Sequence, residues 1–122
     1  MPAPAEVSPY AAAHARRLRE SRARDQQWCT GARQEAVAAA RVLLDRFGAH
    51  SVLLFGSVAR GDGRPGSDID LLVAGVPPAR WFDACAAAAD VVRCGAVDLV
   101  PADLAHQDVL ERARAEGIAL HG

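Results

Sequence analysis

The chain contains no lysine, and this absence excludes several kinds of active site. All fourteen of its basic residues are arginine, so there is no lysine for a phosphate-binding loop, a Schiff base or general-base catalysis. Fifteen acidic residues balance the arginines and leave a net charge of −1. Because this balance creates no overall attraction to polyanions, we expect no direct binding of nucleic acid and no membrane association.

Cysteine is scarce, and long apolar runs are missing. Cys29, Cys85 and Cys94 are an odd number without CxxC spacing, which argues against a disulfide framework and a structural zinc site. Residues 1–9 lack the basic region and apolar run of a signal peptide. No stretch approaches the ~18 apolar residues of a membrane span. These features predict a cytoplasmic protein.

Length and composition predict one globular unit. The 122 residues fall within the roughly 100–200 residues of a typical domain, and a hydrophobic content of 51% allows a sizeable core. We expect three parts within this unit: a flexible arm over residues 1–8, a helical extension over 9–47 packed on the domain, and the domain itself over 48–122.

The region before Gly48 is predicted to form two helices. Ser8 followed by Pro9 is a typical helix start, and the first helix should run to about Gln27. Thr30 is a candidate cap for a second helix that ends near Phe47. The first helix carries a basic cluster, which either contacts phosphate or an acidic partner or forms a solvated face. Its members are Arg16, Arg17, Arg19, Arg22 and Arg24.

Beyond Gly48 the pattern changes to short apolar runs separated by Ala-rich segments. Strands are predicted over 51–55, 68–73 and 96–100, with a small terminal strand over 118–120. One helix is predicted from Pro78 to about Arg93, and another to about Glu116 with Asp103 as its candidate cap. The order is therefore two helices, two strands, helix, strand, helix.

The turn after the first strand has the features of an anion site. The strand ending at Phe55 continues into Gly56, Ser57 and a predicted helical turn, so bare backbone N–H groups lie where strand gives way to helix. Gly56 has no Cβ to keep a phosphate at a distance, and the Ser57 hydroxyl can donate a hydrogen bond to a phosphate oxygen. Alone, such a pair is more often a simple turn.

Carboxylates in the following strands strengthen this interpretation. Asp68 and Asp70 are two residues apart in a predicted strand, so their side chains leave the same face. Neighbouring carboxylates repel each other and are costly to desolvate, which favours a cation between them. Oxygen ligands suit Mg²⁺ or Mn²⁺, which take further ligands from substrate phosphates. Asp98 likewise interrupts the apolar pattern of the next predicted strand. Any one of the three aspartates could be merely solvated, but all three in phase indicate a metal site.

These residues resemble a known signature. Gly56-Ser57, ten further residues and Asp68-Ile69-Asp70 are similar to the GSx10DxD motif of the DNA polymerase β-like nucleotidyltransferase superfamily. The surrounding residues, and the segment from Glu116 to Leu120, resemble its minimal nucleotidyltransferases. The resemblance extends over about residues 51–120 and leaves the helical region before Gly48 outside.

The resemblance implies a fold and an activity. The fold would be of the α/β (α+β) class, with a small mixed β-sheet flanked by helices, a nucleotidyltransferase domain over 48–122 and an N-terminal helical extension. The activity would be Mg²⁺-dependent transfer of a nucleoside monophosphate from a nucleoside triphosphate to a hydroxyl group, with two Mg²⁺ ions or Mn²⁺ in their place.

The resemblance also implies roles for particular residues. Asp68 and Asp70 would ligate both metal ions, and Asp98 would complete the metal site nearest the acceptor and help to take its proton. Gly56 and Ser57 would hold the β- and γ-phosphates. Separately, Arg60 is a candidate for steadying the triphosphate, with a surface role as the alternative.

Minimal nucleotidyltransferases resemble the antitoxin half of toxin–antitoxin pairs. The resemblance implies transfer of AMP from ATP to a tyrosine of a HEPN-domain ribonuclease toxin. About two dozen residues follow Asp98, which favours an acceptor that brings its own binding surface. Two other hypotheses stay open: a non-catalytic partner-binding module that acts through the arginine-rich helix, and a two-subunit small-molecule nucleotidyltransferase of the aminoglycoside type.

Overall fold

A four-stranded sheet with helices on both faces organises the chain. The computed structural model describes residues 8–120, so the predicted arm lies outside the described residues except for Ser8. The elements are α1 (Pro9–Arg46), β1 (Ser51–Phe55), α2 (Gly56–Arg60), β2 (Ile69–Ala74), α3 (Trp81–Val91), β3 (Val97–Pro101), α4 (Gln107–Glu116) and β4 (Ile118–Ala119). Short 3₁₀ turns over Pro78–Arg80 and Ala102–Leu104 precede α3 and α4.

The sheet is mixed, as predicted, with the strand order β3-β2-β1-β4. Strand β1 is antiparallel to both β2 and β4, whereas β2 and β3 are parallel. The parallel pair is joined by α3, as parallel strands require a crossover connection. This topology brings the beginnings of β2 and β3 next to the end of β1, where α2 starts.

The prediction of two helices before Gly48 is wrong, because α1 is one helix of 38 residues. Ser8 does cap it, accepting a hydrogen bond from the Ala11 N–H at 3.1 Å. Thr30 is not a cap, since its hydroxyl donates to the Gln26 carbonyl one turn earlier at 3.0 Å. A glycine inside a helix lowers stability by only about 1 kcal/mol relative to alanine. Burial of the following turns of α1 outweighs this cost, so the helix continues through Gly31.

Small residues on α1 let the helix approach the sheet closely. Its buried positions are Cys29, Ala32, Ala36, Ala39, Ala40 and Leu43, which pack with Ala84 and Ala88 of α3 against one face of β1 and β2. Ile69, Leu71 and Val73 of β2 face this core. The opposite face carries a smaller cluster of Phe55, Leu72 and Ala113, beneath α4.

Polar contacts tie α1 to the loop before β3. The Trp28 indole N–H donates to the Cys94 carbonyl at 3.3 Å, and the Glu35 carboxylate accepts from the Cys94 N–H at 3.1 Å. These contacts fix the position from which β3 begins. Cys29, Cys85 and Cys94 are free thiols, and Cys29 is buried.

The end of the chain differs from prediction at Asp103. This residue lies in the 3₁₀ turn over Ala102–Leu104, and α4 begins only at Gln107 with His106 in the capping position. Ala105 has an extended backbone (φ −69°, ψ 142°), which separates the turn from the helix. Between residues 8 and 120 we find no helix with the length and apolarity to cross a membrane.

Gly31 offers a test of this description of α1. An alanine there meets no atom within 4 Å, so Gly31→Ala should raise the free energy of unfolding by about 0.5–1 kcal/mol through helix propensity. Gly48 serves as the contrasting site because its φ is +77°. Gly48→Ala should lower stability, and urea unfolding of both variants measures the difference. Destabilisation by Gly31→Ala would contradict a continuous helix.

Candidate active site

The predicted carboxylates lie at one end of the two parallel strands. Asp70 is the second residue of β2 and Asp98 the second residue of β3, and the two are paired in register. The pairing of β3 with β2 therefore brings Asp98 to the same end of the sheet as Asp70. Asp68 directly precedes β2, which begins one residue later than predicted. Ile69, between the two aspartates, is fully buried on the opposite face.

The electrostatics of Asp70 reflect this crowding of negative charge. Partial burial, and after it the negative charges of Asp98 and Asp68, raise the pKa of Asp70 to about 6. The positive charges of Arg112 and Arg60 act in the opposite direction. Mutual repulsion of this kind is relieved by a cation, so the donor chemistry of the site fits a divalent metal ion.

The three carboxylates nevertheless do not lie close enough together to coordinate one metal ion. Among residues 8–120, no group of three Asp, Glu, His or Cys side chains is arranged to hold a metal ion. Asp68 and Asp98 are exposed, while Asp70 is partly buried. A bound cation would have to draw these side chains together against their repulsion.

Gly56 stands directly against Asp70. Its φ is +79°, and a Cβ built on it would lie 2.3 Å from Asp70 Oδ2. Glycine is required here because the carboxylate fills the space that a side chain would need. The sequence suggested a different reason, namely that a residue without Cβ lets a phosphate approach the backbone. The N–H of Gly56 is also not bare, since it donates to Glu116 Oε1 at 2.9 Å.

Ser57 and Arg33 hold the turn that follows. The Ser57 carbonyl accepts hydrogen bonds from the N–H groups of Gly61, Asp62 and Gly63 at 3.0–3.1 Å. From α1, the Arg33 guanidinium donates to the Val58 and Ala59 carbonyls at 2.9 and 2.8 Å. A cation at the carboxyl end of a short helix satisfies its free carbonyls. Through Arg33, α1 therefore directly supports α2 and the turn that follows it.

Arg60 is held by two carboxylates. Its Nη1 donates to both Glu116 oxygens at 3.1 and 3.2 Å, and its Nε donates to Asp62 Oδ2 at 3.3 Å. Asp62, in the loop after α2, thus contacts a candidate site residue. The hydrogen bond from Gly56 and those from Arg60 lower the pKa of the Glu116 carboxyl.

Three contributors to this site were missed from the sequence. The resemblance includes Glu116 but gives it no role, and no sequence pattern indicates Arg33 or Arg112. The contacts of Arg33 and Glu116 join residues 25 to 60 positions apart, so no local motif could have found them. The positive charge of Arg112 acts on both Asp70 and Glu116, as does that of Arg60.

Comparison with known proteins identifies the family. A model of the nucleotidyltransferase domain matches residues 38–119. The solved structure of a candidate minimal nucleotidyltransferase is 33% identical with a TM-score of 0.57, and the match covers 77% of this chain and 94% of that one. The comparison with curated proteins gives no match.

Two more distant structures share the fold. One is a toxin–antitoxin crystal structure with AMP-PNP, which has a TM-score of 0.60, 24% identity, and coverage of 72% of this chain and 73% of that chain. The other is the MntA–HepT toxin–antitoxin, with a TM-score of 0.55, 20% identity, and coverage of 74% and 72%. Since the domain model covers more than half of the chain, the chain belongs to the nucleotidyltransferase domain family, has the DNA polymerase β-like fold and is a nucleotidyltransferase.

Proposed function

We propose that this enzyme transfers AMP from ATP to a hydroxyl group in a Mg²⁺-dependent reaction, in which a bond forms between the hydroxyl oxygen and the α-phosphorus and pyrophosphate leaves. The observation that carries the proposal is the pairing of Asp70 with Asp98 across parallel strands, beside the turn at Gly56. Carboxylates so placed supply hard oxygen ligands next to the position where a triphosphate would lie. One of the toxin–antitoxin crystal structures that share the fold is a structure with AMP-PNP, an ATP analogue, and this supports ATP as the donor.

Each group of this chain has a defined task in the proposed reaction. Asp68 and Asp70 would hold Mg²⁺, and Asp98 would complete the metal site on the acceptor side and help to take the proton of the hydroxyl. Bound Mg²⁺ would neutralise the charge on the phosphates and favour ionisation of the attacking hydroxyl. Ser57 and Arg60 would bind the β- and γ-phosphates, while Gly56 leaves the space that Asp70 occupies.

We further propose that the acceptor is a tyrosine of a HEPN-domain ribonuclease toxin, so that the chain acts as its antitoxin. The support is the similarity in fold to toxin–antitoxin complexes, including MntA–HepT. Transfer of AMP to a tyrosine places a bulky phosphodiester anion on the side chain. Such a group beside a ribonuclease site would repel the RNA backbone and block access to it.

A second candidate function rests on the first half of α1. Residues 9–28 precede the buried stretch of the helix and lie outside the matched domain model. They carry the five arginines against two acidic residues, Glu20 and Asp25. A basic, solvent-facing helix of this kind is suited to an acidic partner, so a non-catalytic module could neutralise a toxin by masking alone.

Labelled ATP separates these functions. With [α-³²P]ATP and Mg²⁺, we expect label on the product of the adjacent reading frame, and loss of labelling and of neutralisation in Asp68→Ala and Asp70→Ala. Asp90→Ala, an exposed acid on α3, is the matched control and should label normally. Neutralisation that survives both site substitutions would favour the masking module. Label on an aminoglycoside without any protein partner would favour the small-molecule enzyme.

A further inference from the structure

The end of α4 reaches the turn that begins α2. Glu116, the last residue of α4, places one carboxylate oxygen 2.9 Å from the Gly56 N–H, and Arg60 Nη1 lies 3.1 and 3.2 Å from its two oxygens. Its side chain is only 19% exposed, whereas that of Arg60 is 43% exposed. One carboxylate therefore joins the first and last residues of α2 from a distant part of the chain.

The backbone around Glu116 is fixed on both sides. The N–H of Gly117 donates to the Ala113 carbonyl at 2.8 Å and so closes the last turn of α4 around Glu116, and a Cβ on Gly117 would lie 2.1 Å from that oxygen. After Glu116, β4 pairs with β1, with Ile118 opposite Leu54. The helix end and the strand pairing together hold the Glu116 carboxylate toward the turn.

Helix α2 needs this carboxylate. Its capping position is Phe55, which offers no side-chain acceptor, and Gly56 is buried. A buried N–H without an acceptor is unfavourable, and a carboxylate at the start of a helix also interacts well with the helix dipole. Glu116 thus acts as a cap supplied by tertiary structure.

The same contacts orient Arg60. Glu116 binds Nη1 and Asp62 binds Nε, and within residues 8–120 no carboxylate hydrogen-bonds to Nη2. A guanidinium held at two nitrogens keeps a fixed plane and loses less freedom when the third binds an anion. The Glu116 carboxylate that binds Arg60 also binds the Gly56 N–H, and Gly56 lies against Asp70, so the guanidinium lies near the carboxylate end of the site.

We propose that Glu116 is a positioning residue for nucleotide binding: it fixes the Gly56 turn and presents Arg60 to the triphosphate. This inference rests on the proposed function, because it assigns Glu116 a role in that same site. Glu116 itself does not touch the nucleotide. Glu116→Gln keeps an oxygen that can accept from the Gly56 N–H but removes the charge that holds Arg60, so the effect of this substitution on nucleotide binding passes through Arg60.

Affinity for AMP-PNP with Mg²⁺, measured by calorimetry, tests the inference without a protein acceptor. Glu116→Gln should weaken binding about fivefold, the scale of one partly exposed ion pair, and Arg60→Ala should do the same. The double variant should bind no more weakly than Arg60→Ala alone, because the two residues act as a unit. In the transfer assay, Glu116→Gln should raise KM for ATP and retain kcat. Glu111→Gln, an exposed acid on the same helix, should bind normally.

Three results would overturn the inference. Tighter binding by Glu116→Gln would show that the carboxylate competes with phosphate for Arg60. Unchanged binding, or additive losses in the double variant, would show that Glu116 does not act through Arg60. Failure of the unsubstituted protein to bind AMP-PNP would instead defeat the proposed function itself and remove this inference with it. Melting temperatures of all variants identify losses that come from unfolding.

Discussion

Asp70→Asn is expected to abolish nucleotidyl transfer while leaving the chain folded. The substitution removes a charged oxygen ligand from the pair with Asp98 but preserves size and shape. Because loss of groups that merely support metal ligands costs 10–100-fold, loss of a direct ligand should cost about 10³-fold or more. Label transfer from [α-³²P]ATP measures the loss, with Asp90→Asn as a control that retains activity. Transfer within tenfold of the unsubstituted protein would contradict the assignment.

The same substitution should stabilise the fold at neutral pH. Asp70 has a folded-state pKa of about 6, raised from 3.8 first by burial. Between about pH 4 and pH 6 the folded state therefore holds more protons than the unfolded state, and stability falls as pH rises through this window. Asp70→Asn removes that loss, which should amount to about 1 kcal/mol at pH 8 after allowance for solvent screening of a half-exposed group.

Urea unfolding at pH 4 and pH 8 checks this expectation. The variant should gain stability at pH 8, gain little at pH 4, and show a flatter pH dependence between them. Asp90→Asn should leave the pH dependence unchanged, since Asp90 lies exposed on α3. A less stable Asp70→Asn variant at pH 8 would mean that the carboxylate is favourably paired. A substitution that raises stability and abolishes activity is expected where a site keeps mutually repelling carboxylates because the reaction needs them.

Gly56→Ala is the second substitution with a large expected effect. The added Cβ would lie 2.3 Å from Asp70 Oδ2, and φ is +79° at this position. Backbone strain and the clash together should destabilise the fold by about 2–3 kcal/mol, and the displaced Asp70 should lose its metal-binding arrangement. We therefore expect both a lower urea midpoint and loss of label transfer in folded protein.

Two comparisons separate strain from clash. Gly66 also has a positive φ of +97°, but a Cβ there meets nothing within 4 Å. Gly66→Ala should therefore show the backbone cost alone and retain transfer. Asp70→Ala should stabilise the Gly56→Ala background more than it stabilises the unsubstituted protein, because it also removes the clashing carboxylate and leaves only Asp70 Cβ, at 3.6 Å. Equal gains in the two backgrounds would show that the Asp70 carboxylate does not clash with the added Cβ.

Local sequence pattern predicted the parts of this molecule that depend on near neighbours. The alternation around Asp68 and Asp70 and the turn at Gly56 are encoded within one short stretch, and β1 has the predicted bounds. Asp98 marks β3 by the same kind of pattern, whereas the pairing of β3 with β2 comes from the structure. Each of these features repeats a period or a spacing that a strand or turn imposes.

Features that depend on distant packing could not be predicted in this way. Thr30 resembles a cap when seen locally, yet buried residues on both sides of Gly31 make α1 continuous. Glu116 contacts Gly56 across 60 positions, and its function depends on where α4 ends. The need for glycine at position 56 also depends on distant packing, because the atom nearest to an added Cβ belongs to Asp70 of the neighbouring strand.

We propose that the aspartates and the Gly56 turn together bind ATP and its metal ion. A crystal structure with Mn²⁺ and AMP-PNP tests it most directly, because manganese gives an anomalous signal. We predict manganese about 2.0–2.3 Å from carboxylate oxygens of Asp68 and Asp70, with the phosphates against Ser57 and Arg60. Nucleotide bound elsewhere, or manganese without contact to these aspartates, would contradict the account.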